Sequence, residues 1–563
     1  MRGFRNGFSV LLAFALVVPA AATAATQLQA GNAITLSEHG GALKAKLVRL
    51  PSGRLVAVYG DYADPGNYTV YDVKANTERP ARDVFVRTCD AATTDCNDIA
   101  NWSAPQNVSG TATRSSMNAD WTGTSDGSSD RSPFYGDSGK PTAFGTGSRV
   151  VVTWTDKFCP DGNPATPVTD PVKQRSVTYQ EREGREVPFS CTYVVSSADG
   201  GTTWSTPVQL SSGERDAIQD VSRGLGSGQW AITWQEDPLG LQLGEAAGPG
   251  EGASGARVSG GTDIWYAYAD AGWKDADTAD GFGVWHPPVR LTDNTSRTAG
   301  SSHDTVKDSA GTTVDNTLID GGTTGASRAN LAVQLGSADG GTARAVVAYE
   351  ESKGTGETDP GKFVRYHTFA WDDPDTDAAG CIISDPSENG RRVRFVAQKE
   401  PGSQSGLRLA IFWKEGVYIQ GGPSDIVLRL GIADGHNGLG IQDLRPSVNA
   451  ETCETSDPTT AATVTNTPAL NLSSRTGSAG ATDDGDIAAS TLADHPEQNA
   501  EENAIAHRAQ LRGDDLYVGY AYTPMLSELR YSNTRNYNFY LRHYAAAAGH
   551  WSAPENLSTI SDT

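Results

Sequence analysis

Acidic and basic residues recur in this chain at fixed places beside short β-rich runs. Acids close one set of runs: Asp61 in "LVAVYGD", Asp156 in "VVVTWTD", Glu236 in "WAITWQE", Glu350 in "AVVAYE" and Glu415 in "AIFWKE". Bases stand near the start of the preceding run: Lys46, Lys140, Arg223, Arg328, Arg394 and Arg508. Paired carboxylates supply the acid and the base or nucleophile that cleave a glycosidic bond. Lysine and arginine hold anionic or hydroxyl-rich ligands, arginine with a two-pronged grip on a carboxylate. The pattern therefore offers Asp61, Asp156, Glu236 and Glu350 as catalytic candidates and the six bases as ligand-binding candidates. The same charges would also serve as ion pairs between neighbouring units.

The elements that must position these residues are repeated. A hairpin of two β-rich runs around a polar or glycine-containing turn occurs at 45–61, 140–156, 222–237, 327–351, 394–415 and 507–523. After it comes an alternating strand, as in "DVFVRT" and "DIWYAYA". Then follows a tryptophan–proline segment: "NWSAPQNVSG" (101–110), "TWSTPVQLSS" (203–212), "VWHPPVRLTD" (284–293) and "HWSAPENLST" (550–559), with "TPALNLSS" (467–474) a further copy. The fourth unit has the strand "KFVRYHTFAW" and an indistinct ending near Pro386. Six units of four strands predict an all-β, six-bladed propeller over 25–563, with blades near 43–110, 137–213, 218–293, 326–390, 391–474 and 503–559. Radial repetition leaves only short edges. Two stacked sandwiches would not explain the sixfold unit.

In such a blade the first strand starts at the end where the second finishes. The acids and bases then meet on one face around the channel, where the long connections 62–82, 157–190, 238–262, 111–136, 294–325 and 475–503 also lie. Long loops on a rigid scaffold are where function concentrates.

Within "SSADGGTTWSTPVQLSSG", the spacing Ser197-x-Asp199-x-Gly201-x-x-Trp204 resembles the Asp box of the sialidase superfamily. The resemblance implies a sialidase-type propeller, with this box a structural turn between the third and fourth strands, away from the chemistry. That family has an Arg-Ile-Pro before its first-blade strand. Leu43-Lys44-Ala45 stands at that place, so the family's arginine is absent, with Lys44 and Lys46 the nearest bases. The family's other two arginines and its tyrosine–glutamate pair match no motif here. If the chain is an enzyme, the resemblance implies a glycoside hydrolase.

Composition narrows the partners. Arg2 and Arg5, the apolar run Phe8–Val18 and Ala22-Thr23-Ala24 read as a secretory signal peptide over 1–24. The formal charge is −23, and loss of the two arginines makes it −25. Such a field repels nucleic acid and anionic membranes. No later stretch is apolar enough to span a bilayer. Six cysteines in a secreted chain point to disulfides, by proximity Cys89–Cys96, Cys159–Cys191 and Cys381–Cys453, with 15 connectivities open. The chain ends "ENLSTISDT" without an apolar tail, so no sorting anchor is expected.

Other motifs carry less. Gly123-Thr-Ser125-Asp-Gly127 lacks the strand-to-helix context of a nucleophile elbow, and "GEAAGPGEGASGARVSGG" lacks the lysine of a phosphate loop. The acidic loops 275–281, 372–377 and 483–486 carry oxygen ligands for Ca²⁺, but without EF-hand spacing they read first as solvated loops. His303-Asp304 and His495-Pro-Glu497 form no zinc motif. No cofactor and no metal are expected. The reading is a monomer that is secreted, periplasmic or at the cell surface, binding a glycan or other extracellular ligand on the long-loop face. A glycoside hydrolase and a non-catalytic envelope scaffold are the alternatives.

Overall fold

A computed structural model describes residues 33–122, 130–160, 173–225, 229–240, 261–269, 284–294, 305–313, 325–334, 344–352, 362–374, 381–384, 389–399, 407–416, 424–432, 470–473, 503–512, 515–523, 537–545 and 550–558. They form six antiparallel blades in chain order, strands A to D of each hydrogen-bonded in sequence. Blade one is Leu43–Arg49, Arg54–Tyr62, Arg82–Asp90 and Gln106–Asn107. Blade two is Thr142–Thr146, Arg149–Asp156, Cys191–Ser197 and Val208–Gln209; blade three is Asp216–Leu225, Gln229–Asp237, Asp263–Ala269 and Val289–Arg290. Blade four is Ala326–Gln334, Arg344–Ser352, Lys362–Ala370 and Cys381–Ile382; blade five is Asn389–Lys399, Leu407–Gly416, Ser424–Ile432 and Leu470–Asn471. Blade six is Asn503–Arg512, Asp515–Thr523 and Asn538–Ala545, with His550–Trp551 and Glu555–Asn556 both pairing to its third strand.

Each A strand packs beside the next, from blade one to blade six, as in a propeller. The cores lie between blades because both faces of each strand are apolar. Val56 and Val84 meet Val152 and Trp154 between blades one and two; Tyr266 meets Val347 and Tyr349 between three and four. The A strands of blades one and six end the series. Among the described residues the large exposed apolar side chains, Leu47, Ile99, Phe539 and Leu557, all belong to these two blades.

The repeated tryptophan segment has a hydrogen-bond logic. The serine after the tryptophan bonds one strand-C residue twice. Ser103 N–H donates to Thr88 O at 2.8 Å while Thr88 N–H donates to Ser103 Oγ at 3.0 Å, and Ser205–Ser196 and Ser552–His543 repeat this. The Ser or Thr directly after the segment's closing Val, Leu or Ile forms a second latch, present in all six blades. Ser109, Ser211, Thr292, Ser384, Ser473 and Ser558 accept the N–H of Val84, Thr192, Ile264, Val364, Ile426 and Phe539 at 2.8–3.0 Å. Four of these hydroxyls donate onward, to Asp83, Asp263, Asp425 and Asn538. Blade four thus ends at Cys381–Ile382 with Ser384 as its latch, ahead of the ending expected near Pro386.

The stretch 197–204 turns between strands C and D of blade two. Ser197 Oγ accepts Gly201 N–H at 2.8 Å, and Asp199 accepts Thr202 and Thr203 N–H at 2.9 Å each. Gly200 and Gly201 have φ of 76° and 85°, which a side chain resists. Trp204 packs into the core shared with blade one. Gly200 N–H bonds Ser148 O of the A–B turn, so this corner lies at the end opposite the B–C loops.

Those loops, with the connections after blades one and three, build a cap with its own core. Hairpin strands Thr69–Asp72 and Thr77–Pro80, the pair Ser115–Ala119 and Ser132–Tyr135, and strands Ser176–Tyr179, Arg185–Pro188 and Thr305–Lys307 bury Val70, Tyr71, Phe134, Val177, Val187 and Val306 together. Arg79 bridges Asp72 and Asp137 at 2.9 and 2.6 Å, and buried Glu186 receives Arg131 at 2.8 Å. Disulfides Cys89–Cys96 and Cys159–Cys191 are formed. In the third expected pair, Cys453 lies outside the described residues, as do the signal segment 1–24 and the acidic loops 275–281 and 483–486. Among the described residues no helix is long and apolar enough to cross a membrane, and no three His, Cys, Asp or Glu side chains converge.

Candidate functional site: an arginine cluster on the inner strands

The inner strands share one irregularity near their starts. Register jumps from Leu43↔Gly60 to Lys46↔Val58, and likewise between Ser327 and Asn330, Arg391 and Arg394, and Ile505 and Arg508. In each case two residues oppose one aromatic: Tyr59, Tyr349, Trp413 or Tyr520. The first bulged residue is left-handed, with φ of 48° at Lys44, 57° at Arg328, 61° at Arg392 and 56° at Ala506. Such a backbone costs a residue with a Cβ about 1–2 kcal/mol. Strain of this kind clusters at functional sites, and bulges re-aim side chains. Blade three also shifts by one residue, between Ile218 and Asp220, and strand A of blade two pairs without a shift.

In blades four to six these bulges bring arginines together. Arg394 is half-buried, and its buried Nε has no hydrogen-bond partner. Burial, and then the charges of Arg508, Arg392 and Arg328, push its pKa down to about 10, with Glu350 opposing. Arg508 is exposed and donates to His507 O at 2.7 Å. An acidic chain has gathered like charges at one place, against their mutual repulsion.

Hydrogen bonds between blades fix the cluster. Arg328 N–H donates to Gln235 Oε1 of blade three at 3.0 Å. Glu350 of blade four accepts Arg392 N–H of blade five at 2.6 Å, with Lys362 Nζ at 3.4 Å and Arg328 Nε at 4.0 Å from its other oxygen. Burial alone would raise the Glu350 pKa, but Arg328, Lys362, Arg391 and the Arg392 N–H outweigh it, and the net shift is downward. Glu350 is thus held ionised.

The other acids sit differently. Side chains two apart on a strand share a face, so an aromatic-x-acid sequence lets the ring meet the carboxylate. The indole N–H donates from Trp154 to Asp156 (3.2 Å), Trp234 to Glu236 (2.8 Å) and Trp413 to Glu415 (2.7 Å). In blade four the acid at that step is Glu351, paired with Arg365. Glu350 stands one residue earlier, on the opposite face, toward blade five. Asp61 accepts the N–H groups of Glu38, His39, Gly41 and Tyr62 at 2.7–3.0 Å, pinning the N-terminal segment across blade one. Asp156 is buried and takes hydroxyl bonds from Thr111 (2.6 Å) and Ser138 (2.7 Å). Burial pushes its pKa up to about 7, against these bonds and with Asp83 adding to the rise. Glu236 is also pushed up to about 7 by burial, against Trp234, Arg215 and Arg290.

Among the expected bases, Arg328, Arg394 and Arg508 come together. Lys46 follows the blade-one bulge and is exposed, while exposed Lys140 precedes strand A of blade two. Arg223 is displaced from its expected place. Strand A of blade three starts at Asp216, and Arg223 pairs with Ala231 near the A–B turn, at the other end. Arg215 stands at the start instead, bonded to Asp263 at 3.0 Å. Arg392, Gln235 and His507 were not singled out from sequence. The signal available was the break in alternation at "RRVRFV" and "AIAHRA".

No family model matches the chain, and no curated protein does. Among solved structures it is similar to an intramolecular trans-sialidase from Ruminococcus gnavus in complex with oseltamivir carboxylate (10% identity, 94% of this chain and 96% of that one, TM-score 0.33). It is also similar to the leech intramolecular trans-sialidase complexed with 2,7-anhydro-Neu5Ac (9%, 92% and 71%, TM-score 0.34). A third is the Penicillium chrysogenum alpha-L-arabinanase complexed with arabinobiose (12%, 69% and 80%, TM-score 0.30). The strand order itself defines the class: a β-propeller of four-stranded antiparallel blades. At such identities and TM-scores nothing is carried over from those proteins to this chain.

Proposed function

We propose that the protein is a secreted propeller that binds an acidic carbohydrate, or another extracellular carboxylate ligand, at the start of the inner strands of blades four to six. The observation behind this reading is the Arg328–Arg392–Arg394–Arg508 cluster, kept together within a chain of net charge −23. Guanidinium groups on strained, tightly bonded backbone are preorganised for a carboxylate. The signal-like N-terminus and the two disulfides support secretion.

Titration calorimetry of the mature protein with N-acetylneuraminate, galacturonate and neutral galactose tests the proposal. Acidic sugars should bind, and Arg394→Ala should weaken them roughly tenfold or more, the worth of a charge-assisted bond. Binding of galactose as tight as galacturonate would refute it.

A further inference from the structure

Every polar backbone group at the Arg392 bulge for which a bond is described is held by a neighbouring blade. Arg392 N–H goes to Glu350 of blade four at 2.6 Å, and Val393 O accepts Asn330 Nδ2 of blade four at 2.8 Å. From the other side, Arg392 O lies 2.9 Å from His507 Nε2 of blade six. A carbonyl only accepts, so Nε2 carries the proton and donates. His507 is the second residue of its own bulge, 2% exposed, whereas its neighbour Ala506 faces solvent. The blade-six bulge therefore turns one side chain inward, onto the carbonyl of the blade-five bulge.

We propose that His507 is a positioning residue for the arginine cluster: its Nε2–H···O bond locks the left-handed Arg392 backbone, and thereby orients the Arg392 guanidinium for an anionic ligand. The inference deepens the acidic-ligand reading above and rests on it for its functional half.

Two further features agree. Repulsion between Arg392 and Arg394 would push the two apart, and the strained φ of 61° at Arg392 adds a drive to relax. A bond from a neighbouring blade opposes both. The imidazole is also suited to a permanent donor. Burial, and then the nearby Arg394, push its pKa down to about 3, so it stays neutral with one fixed tautomer across the physiological range.

The test uses the mature protein and three variants. His507→Leu removes the donor and keeps bulk, His507→Gln places an amide N–H where Nε2 stood, and His507→Met replaces the leucine variant should that not fold. Galacturonate affinity is measured by calorimetry, and amide hydrogen exchange is followed in the segment 389–399. His507→Leu should weaken galacturonate by about threefold to tenfold, the worth of one neutral hydrogen bond. It should also speed exchange in 389–399, and His507→Gln should restore both measures.

Equal losses in His507→Leu and His507→Gln would overturn the proposal by showing that ring packing is what matters. Wild-type affinity together with wild-type exchange in His507→Leu would overturn it outright. If wild-type protein binds no galacturonate, the acidic-sugar reading has failed. The exchange measurement then decides the positioning role alone: faster exchange in His507→Leu with rescue in His507→Gln upholds it, and unchanged exchange refutes it.

Discussion

The hydroxyl of Ser473 donates to Asp425 at 2.8 Å and accepts the N–H of Ile426 at 2.8 Å. One side chain thereby joins the end of strand D to the start of strand C, and the arrangement recurs around the molecule. Ser473→Ala would leave a buried N–H and a buried carboxylate short of a partner, at a cost of about 1–3 kcal/mol. Thermal or urea unfolding should show that loss. Ser473→Thr should be tolerated, because Thr292 fills the same role in blade three.

Arg394 should oppose stability and serve binding. Arg394→Met removes a half-buried charge repelled by three neighbouring arginines and an unpartnered Nε. The melting temperature should rise or hold, while affinity for galacturonate falls by roughly tenfold or more. A variant that loses both stability and affinity would point to Arg394 as a structural residue.

The buried carboxyls set a pH dependence. Glu236 has a folded pKa raised to about 7 above its ordinary 4.5, so the folded state keeps a proton that the unfolded chain has lost. Its contribution to stability is fully present below pH 4.5 and is lost as pH rises through about 7. Glu236→Gln keeps an acceptor for the Trp234 indole without the charge. It should melt with wild type at pH 4 and above wild type at pH 8.

The Cys159–Cys191 bridge closes the loop that supplies two cap strands, across a separation of 32 residues. Its removal in the double variant Cys159→Ala/Cys191→Ala should cost about 4 kcal/mol on chain-entropy grounds. Differential scanning calorimetry, with and without reductant, compares the two directly. The variant should no longer respond to reductant as strongly as wild type.

The blades were legible in the sequence because their markers are local. The two serine latches act within one C–D pair, and the Trp and Leu beside them fill the same place in the core between blades, so their spacing survives as a repeat. The site was less legible because it arises between blades. Arg223 was misplaced because "SRGLGSGQW" marks the turn, whereas the true start of the strand at Asp216 lies beyond a register shift at Ile218/Asp220. Glu350 and Glu351 are adjacent in sequence yet face different blades, a distinction that only strand parity decides. His507 gave no signal of its own, since its partner carbonyl is 115 residues away.

The cap has a consequence for how the chain is made. Its core draws on segments between Ala63 and Val306, and Val306 comes from the connection between blades three and four. During synthesis the first blades must emerge with their cap strands unpaired, and Val177 and Tyr179 wait for a strand more than 100 residues further on. The cap therefore closes late, over blades already built. A chain stopped before Thr305 would present Ser176–Tyr179 as an open edge to whatever strand it meets first.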